Sequence, residues 1–303
     1  MIYNRNKERG CKYVYRCCDE TKGIFEKVLP LNIIIKENLA YGTYDGMRIE
    51  PDVIKDNEIM LYHPKYIGRG FSVIWNKEEK DKIVLRLLNP TLPHEIDSFF
   101  ECIQRIASYW KCELEIDGQI QKINDFLRRK QEFIDFNERV TVDMLNNIIS
   151  GENNNLTLFC TMFPLVVGEK EANAFINDVS LFYQWMNDKQ QIDAYYAKPQ
   201  FYKIDDKIEG RYVCTEDVCS IFPCKPYVPF GFINPETNQE LECDSHNVCL
   251  YSILEDQMIG EVTYEAFIDY VQEYAQVFDD KNILFEGLSL AQMKELLNKS
   301  NEM

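Results

Sequence analysis

HEIDSFFECIQRIASYWKCELEI, residues 94–116, places two periodicities side by side. Ile96, Phe99, Phe100, Ile103, Ile106, Ala107 and Trp110 recur at spacings of three and four, with Asp97, Glu101, Gln104, Arg105 and Ser108 between them. That spacing predicts a helix over 94–110 with one apolar face and one wet face. Cys112-Glu113-Leu114-Glu115-Ile116 then alternates strictly and stops at Asp117-Gly118, which predicts a half-buried strand running into a turn. Upstream, Phe71–Trp75 and Ile83–Leu88 flank the charged tract Asn76–Lys82 and read as an antiparallel hairpin, closed off by Pro90 and Pro93. Hairpins beside a long amphipathic helix, without regular βαβ alternation, predict an α+β fold: antiparallel or mixed sheets with several amphipathic packing helices.

The same reading extends outward. Lys12–Arg16 and the β-branched run Asn32–Lys36 predict short strands. Thr141 is expected to cap a short helix through Leu145, Ile148 and Ile149, ended by Gly151. Asn153–Asn155 predicts a loop and marks the expected boundary between a strand-rich region, 1–150, and an acidic α+β region, 151–303, if the chain is not one continuous domain. Leu156–Val167 reads as one or two buried strands, and Ala172 through Met186 as a second amphipathic helix. Residues 195–232, interrupted by Pro199, Pro223, Pro226 and Pro229, predict strands with packed connections rather than long helices. Thr263 and Ser289 are expected to start two further helices, the first reaching Phe278.

Bulk properties narrow the function classes. The 303 residues are 46% hydrophobic and 13% aromatic, ample for a packed core. Residues 1–9 lack the apolar segment of a secretory signal, and no apolar run approaches the roughly 18 residues of a membrane span; the expected location is cytoplasmic. There the eleven cysteines are expected mainly as thiols, with Cys102 and Cys160 in apolar runs. Net charge is −17, and it is lopsided: residues 1–150 hold 23 Lys/Arg against 24 Asp/Glu, residues 151–303 hold 10 against 26. Such a field disfavours nucleic acid and anionic membrane as partners and favours a basic protein, although keeping the protein soluble is its more ordinary role.

Candidate sites are few. Cys214, Cys219, Cys224, Cys243, His246 and Cys249 offer soft metal ligands, but their gaps of four, four and five residues are not those of a zinc knuckle, so no metal or other cofactor is expected. A nucleophile–base pair would have to use His63, His94 or His246, and none lies in a recognised nucleophile context. Arg69, between Gly68 and Gly70, could offer a guanidinium to a phosphate or carboxylate, although the commoner task of such glycines is to turn the chain, here into the Phe71 strand. Aromatic and charged residues gather in 193–232, where Tyr195, Tyr196, Lys198, Arg211, Glu216 and Asp217 could line a small-molecule site, although a tightly packed strand-turn core is the plainer reading of the same residues.

Four stretches carry a family resemblance: YHPKYIGRGF (62–71), DAYYAKP (193–199), GRYVCTEDVCSIFPCKPYVPFG (210–231) and FEGLSL (285–290). Together they resemble a bacterial family of about this length that is defined only as a domain of unknown function, over about residues 60–290. The resemblance implies a bacterial cytosolic setting and transfers no catalytic residue. Two functions follow from the residues. One is an acidic interaction module for a basic protein, of which a toxin-neutralising immunity protein or antitoxin would be a case; the other is an enzyme with its site in 193–232. The charge asymmetry and the poverty of histidine motifs favour binding over catalysis.

Overall fold

A computed structural model describes residues 15–18, 30–36, 38–44, 48–55, 57–75, 82–116, 119–229, 232 and 239–302. The chain divides into two compact units, residues 7–192 and 193–303. Asn153–Asn155 lies in a loop inside the first of them. Among the described residues no helix is long and apolar enough to cross a membrane.

The first unit is built on an eight-stranded, wholly antiparallel sheet. Its strands are β1 (Tyr15–Cys18), β2 (Ala40–Tyr44), β3 (Ile49–Pro51), β4 (Glu58–His63), β5 (Tyr66–Trp75), β6 (Lys82–Leu87), β7 (Glu113–Ile116) and β8 (Gln119–Gln121), in the order β3-β2-β4-β5-β6-β1-β7-β8. Between them α1 (Leu31–Ile34) precedes β2, and α2 (Pro93–Trp110) joins β6 to β7. The predicted hairpin is β5–β6, with Phe71 opposite Leu87 and Trp75 opposite Ile83. The apolar face of α2 lies on this sheet: Ile96, Phe99, Ile103 and Ile106 are buried with Phe71, Val73 and Leu85. Each such side chain contributes about 1.5–3 kcal/mol. Phe100 stacks on Phe126, ring centroids 4.6 Å apart, and meets Phe133 edge-on, which brings in α3 (Ile123–Leu127) and α4 (Lys130–Ile149). β9 (Leu156–Leu158) and β10 (Leu165–Val167) form a pair of strands as expected, but only β10 is buried throughout, Leu156 and Thr157 of β9 being exposed; α5 (Glu169–Phe175) and α6 (Val179–Gln190) follow.

The second unit holds two four-stranded sheets. One has the order β11 (Tyr195–Tyr196), β14 (Ser220–Pro223), β18 (Asn282–Phe285), β17 (Gln276–Val277), with β11 parallel to β14. The other has the order β12 (Gln200–Ile204), β13 (Lys207–Thr215), β15 (Ser245–Ser252), β16 (Gln257–Thr263), with β13 parallel to β15 and the outer pairs antiparallel. Two helices, α7 (Tyr264–Val271) and α8 (Leu290–Glu302), cover one side of this sheet: Phe267, Val271, Met293 and Leu296 are buried with Tyr212, Val248, Leu250 and Val262. Gly260 permits the approach of α8, since a Cβ there would stand 2.5 Å from Leu297.

The α+β class and the helix at 94–110 are as expected, and four local expectations are corrected. Asn32–Lys36 is not a strand: Leu31–Ile34 forms one helical turn, whose carbonyls at Ile33 and Ile34 accept from the Arg105 guanidinium, so tertiary contact overrides β-branched propensity. Thr141 caps nothing; it sits inside the 20-residue α4, its hydroxyl donating to the Asn137 carbonyl one turn back. The helix expected from Ala172 to Met186 is two, because Asp178 accepts from the Ser180 amide and starts a new helix. The helix capped by Thr263 ends at Val271, short of Phe278. The strand expected at Lys12–Arg16 and the turn at Asp117-Gly118 fall partly or wholly outside the described residues.

Candidate functional site

Alternation along β13, β15 and β16 sorts side chains to two faces. Gly210, Tyr212 and Cys214, with Val248, Leu250 and Val262, face the helices and are buried. Glu209, Arg211, Asn247, Cys249 and Glu261 take the opposite, open face, where the pairings Arg211↔Asn247 and Cys249↔Glu261 set them side by side. The Arg211 Nε donates to Glu209 at 2.7 Å, and its Nη1 lies 3.8 Å from Glu261. Asn247 donates to the same Glu209 oxygen at 2.8 Å, and the Cys249 thiol reaches Glu261 at 3.8 Å. From β12 the Tyr202 ring receives the Arg211 guanidinium, 5.4 Å from its centroid.

This cluster has two carboxylates and one cation, and the two carboxylates differ. Hydrogen bonding from Arg211, then from Asn247, holds Glu209 below the ordinary glutamate range. Burial, then the hydrogen bond to Glu209, holds Glu261 above it. Both remain within reach of solvent, with side-chain exposures of 14% and 25%. The cluster can therefore accept a further cation, and it presents one acid–base pair with separated affinities for a proton. The unit that carries it holds 21 Asp/Glu against 8 Lys/Arg, a net of −13; residues 7–192 hold 29 against 24, a net of −5.

The other candidates lie apart from it. Tyr195 and Tyr196 are on β11; Tyr196 is buried, its hydroxyl pushed up by burial and by Tyr227 beside it. Lys198 follows on the connection to β12. Glu216 is buried at the far end of β13, where it accepts from the Ser252 hydroxyl at 2.6 Å and the Leu254 amide at 3.0 Å; Asp217 follows with a left-handed backbone, φ 54°. Of the residues expected between 193 and 232, only Arg211 enters the cluster. Its partners Glu209, Asn247 and Glu261 were missed, because the ladder that aligns them pairs distant strands; the alternation of Glu209, Arg211 and Val213 was the available signal.

The cysteines from Cys214 to Cys249 are spread over several elements. Cys214 and Cys249 sit on opposite faces of one sheet, and among the described residues no group of three or more His, Cys, Asp or Glu is placed to hold a metal. Cys243 and His246 meet at Gly210, where a Cβ would stand 3.2 Å from the sulfur and 2.6 Å from the imidazole. Burial pushes the thiol up and the imidazole down, the reverse of a thiolate–imidazolium pair. Cys102, Cys160, Cys214, Cys219, Cys224, Cys243 and Cys249 are thiols, in keeping with the expectation for most of the cysteines, and Cys112 is disulfide-bonded.

In the first unit the Gly68-Arg69-Gly70 backbone wraps the Glu95 carboxylate, which accepts from the amides of Gly68 (2.9 Å), Gly70 (2.7 Å), Arg69 (3.1 Å) and Leu92 (3.1 Å) and from the Thr91 hydroxyl. A Cβ on Gly68 would lie 2.6 Å from that carboxylate, and Gly70 has φ 64°. The Arg69 guanidinium donates to the carbonyls of Phe159 and Asn89. The same helix start brings His94 onto Tyr66, rings stacked at 3.8 Å, with His63 5.0 Å from Tyr66 on its other contact. Burial, then His94 and Lys65, lowers the His63 pKa. Two of the three histidines thus share one exposed patch, a proximity set by the β4–β5 turn and the seating of α2.

A sequence profile described as "Domain of unknown function (DUF4299)" matches residues 7–296, farther toward the N-terminus than the resemblance read from the motifs alone. No curated protein and no solved structure matches the chain.

Proposed function

For this chain, which belongs to the DUF4299 family, we propose a binding function: the unit 193–303 docks a basic protein, and the open face of β12-β13-β15-β16 is the contact surface. The supporting observation is the Glu209–Glu261 pair, two adjoining carboxylates sharing the single guanidinium of Arg211. A lysine or arginine from a partner would relieve that imbalance, and the net charge of −13 would speed and orient its approach. A basic toxic enzyme neutralised by this acidic face, as an immunity protein or antitoxin does, is one partner of the required chemistry. The test is retention of native proteins by the tagged full chain at low and high salt, beside E209Q/E261Q. A basic protein held at low salt, released by salt and weakly held by the variant supports the reading. If nothing basic is retained at low salt, or the variant retains it equally, the reading fails.

The split between Glu209 and Glu261 supports a second reading, in which Glu261 gives a proton and Glu209 takes one during turnover of a small molecule on the same face. Substrate-dependent turnover with a bell-shaped pH profile, lost in both E209Q and E261Q, would replace the binding reading.

A further inference from the structure

The turn joining β15 to β16 reads Ile253-Leu254-Glu255-Asp256, and its apolar half faces water. Leu254 is 78% exposed and Ile253 58%, with Met258 close behind at 55%. Two-stranded turns ordinarily carry Gly, Asn, Asp or Ser, because those residues satisfy the backbone and tolerate solvent. Here the backbone is held from below instead. Buried Glu216 accepts from the Leu254 amide and the Ser252 hydroxyl, and Ser252 in turn accepts from the Glu255 amide at 3.0 Å. The sides are fixed as well: Tyr251 donates to Asp256, and Glu255 is bound by Lys294 at 2.7 Å and Gln257 at 2.9 Å. The turn is thus an ordered apolar tip whose two side chains contribute nothing to the core beneath them.

We infer that Ile253 and Leu254 form the apolar anchor of the docking surface, inserting into an apolar pocket rimmed by lysine or arginine on a basic protein. This rests on the binding function proposed above and adds a second kind of contact to it. Charge selects the occupant. Asp256 and Glu255, the latter paired with Lys294, flank the tip within a unit of net −13, so a second copy and an anionic lipid surface are both repelled by that unit, whereas a cationic rim is attracted. Rigid apolar anchors ringed by polar contacts carry most of the affinity in such interfaces, since little order is lost on binding.

The experiment places a benzophenone amino acid at Leu254 or at Tyr202 in the full chain, cross-links in native lysate, and measures the purified captured protein against parent, I253S/L254S and E209Q/E261Q. The expected result is capture of one basic protein from both positions, with I253S/L254S weakened roughly thirtyfold at unchanged salt dependence. Cross-linking from Tyr202 alone, or affinity of I253S/L254S within about twofold of parent, overturns the anchor while leaving the binding function standing. Cross-linking from Leu254 to a second copy overturns the choice of occupant. Absence of a basic protein at both positions overturns the anchor and the binding function together.

Discussion

Glu95 in the first unit and the Glu209–Glu261 pair in the second are the same chemical group handled in opposite ways. Glu95 is buried and accepts from four amides and one hydroxyl, so the fold meets its whole demand for donors. Glu209 and Glu261 share Arg211 between them, stay within reach of water, and keep a deficit of positive charge. A carboxylate closed by its own chain holds the structure; a pair left short of cations on an open face is available to something else. The predictions below separate those two roles by stability and by binding.

The largest effect is expected at the closed carboxylate. Glu95→Ala leaves several buried amides without an acceptor and should lower the stability of the first unit by about 3–5 kcal/mol, measured by chemical denaturation. Gly68→Ala pushes a methyl group against the same carboxylate and should cost about 1–3 kcal/mol. If either variant unfolds like the parent, Glu95 is not the structural hub that the contrast requires.

Glu216 is intermediate, since it pins the apolar turn. The Ser252 hydroxyl, then the Leu254 amide, hold it below the ordinary glutamate value. Its stabilising contribution is therefore present at neutral pH and lost as pH falls through the lowered value. Glu216→Gln should depress the melting temperature at pH 7 by several degrees and shrink the difference from parent in acid; an unchanged melting temperature at pH 7 would detach the turn from this carboxylate.

The smallest effect is expected at the open pair. Glu261's raised value favours its protonated form in the fold, a contribution present below the ordinary glutamate value and lost as pH rises through the raised one. Glu209 does the reverse: its contribution is present above the ordinary value and lost as pH falls through the lowered one. Glu261→Gln should thus leave stability at pH 7 within about 1 kcal/mol of parent. A loss comparable to that of Glu95→Ala would make the open face structural.

The same contrast explains what could be read from residues alone. The helix at 94–110 and the β5–β6 hairpin were legible because their patterns are local and repeat over many residues. Thr141 misled because a hydroxyl that often caps a helix can also bond back inside one, and only the packing of Phe133 and Leu145 shows which. Asn32–Lys36 misled because its conformation is decided by Arg105, distant in the chain. Gly68 and Gly70 lie within β5 rather than in a turn before it, Gly70 with φ 64°, because the carboxylate their amides enclose belongs to another element. At the open face Arg211 lies in the aromatic segment where a site is expected and Glu261 does not, since two strand pairings separate them.

The most direct test of the docking surface is the salt dependence of affinity for the captured basic protein, compared between parent and E209Q/E261Q by titration at matched ionic strengths. The account predicts steep weakening with salt in the parent, a shallower slope in the variant, and only a small fall in its melting temperature from the lost Glu209 ion pair. Equal slopes in the two proteins, or a parent affinity indifferent to salt, would contradict it.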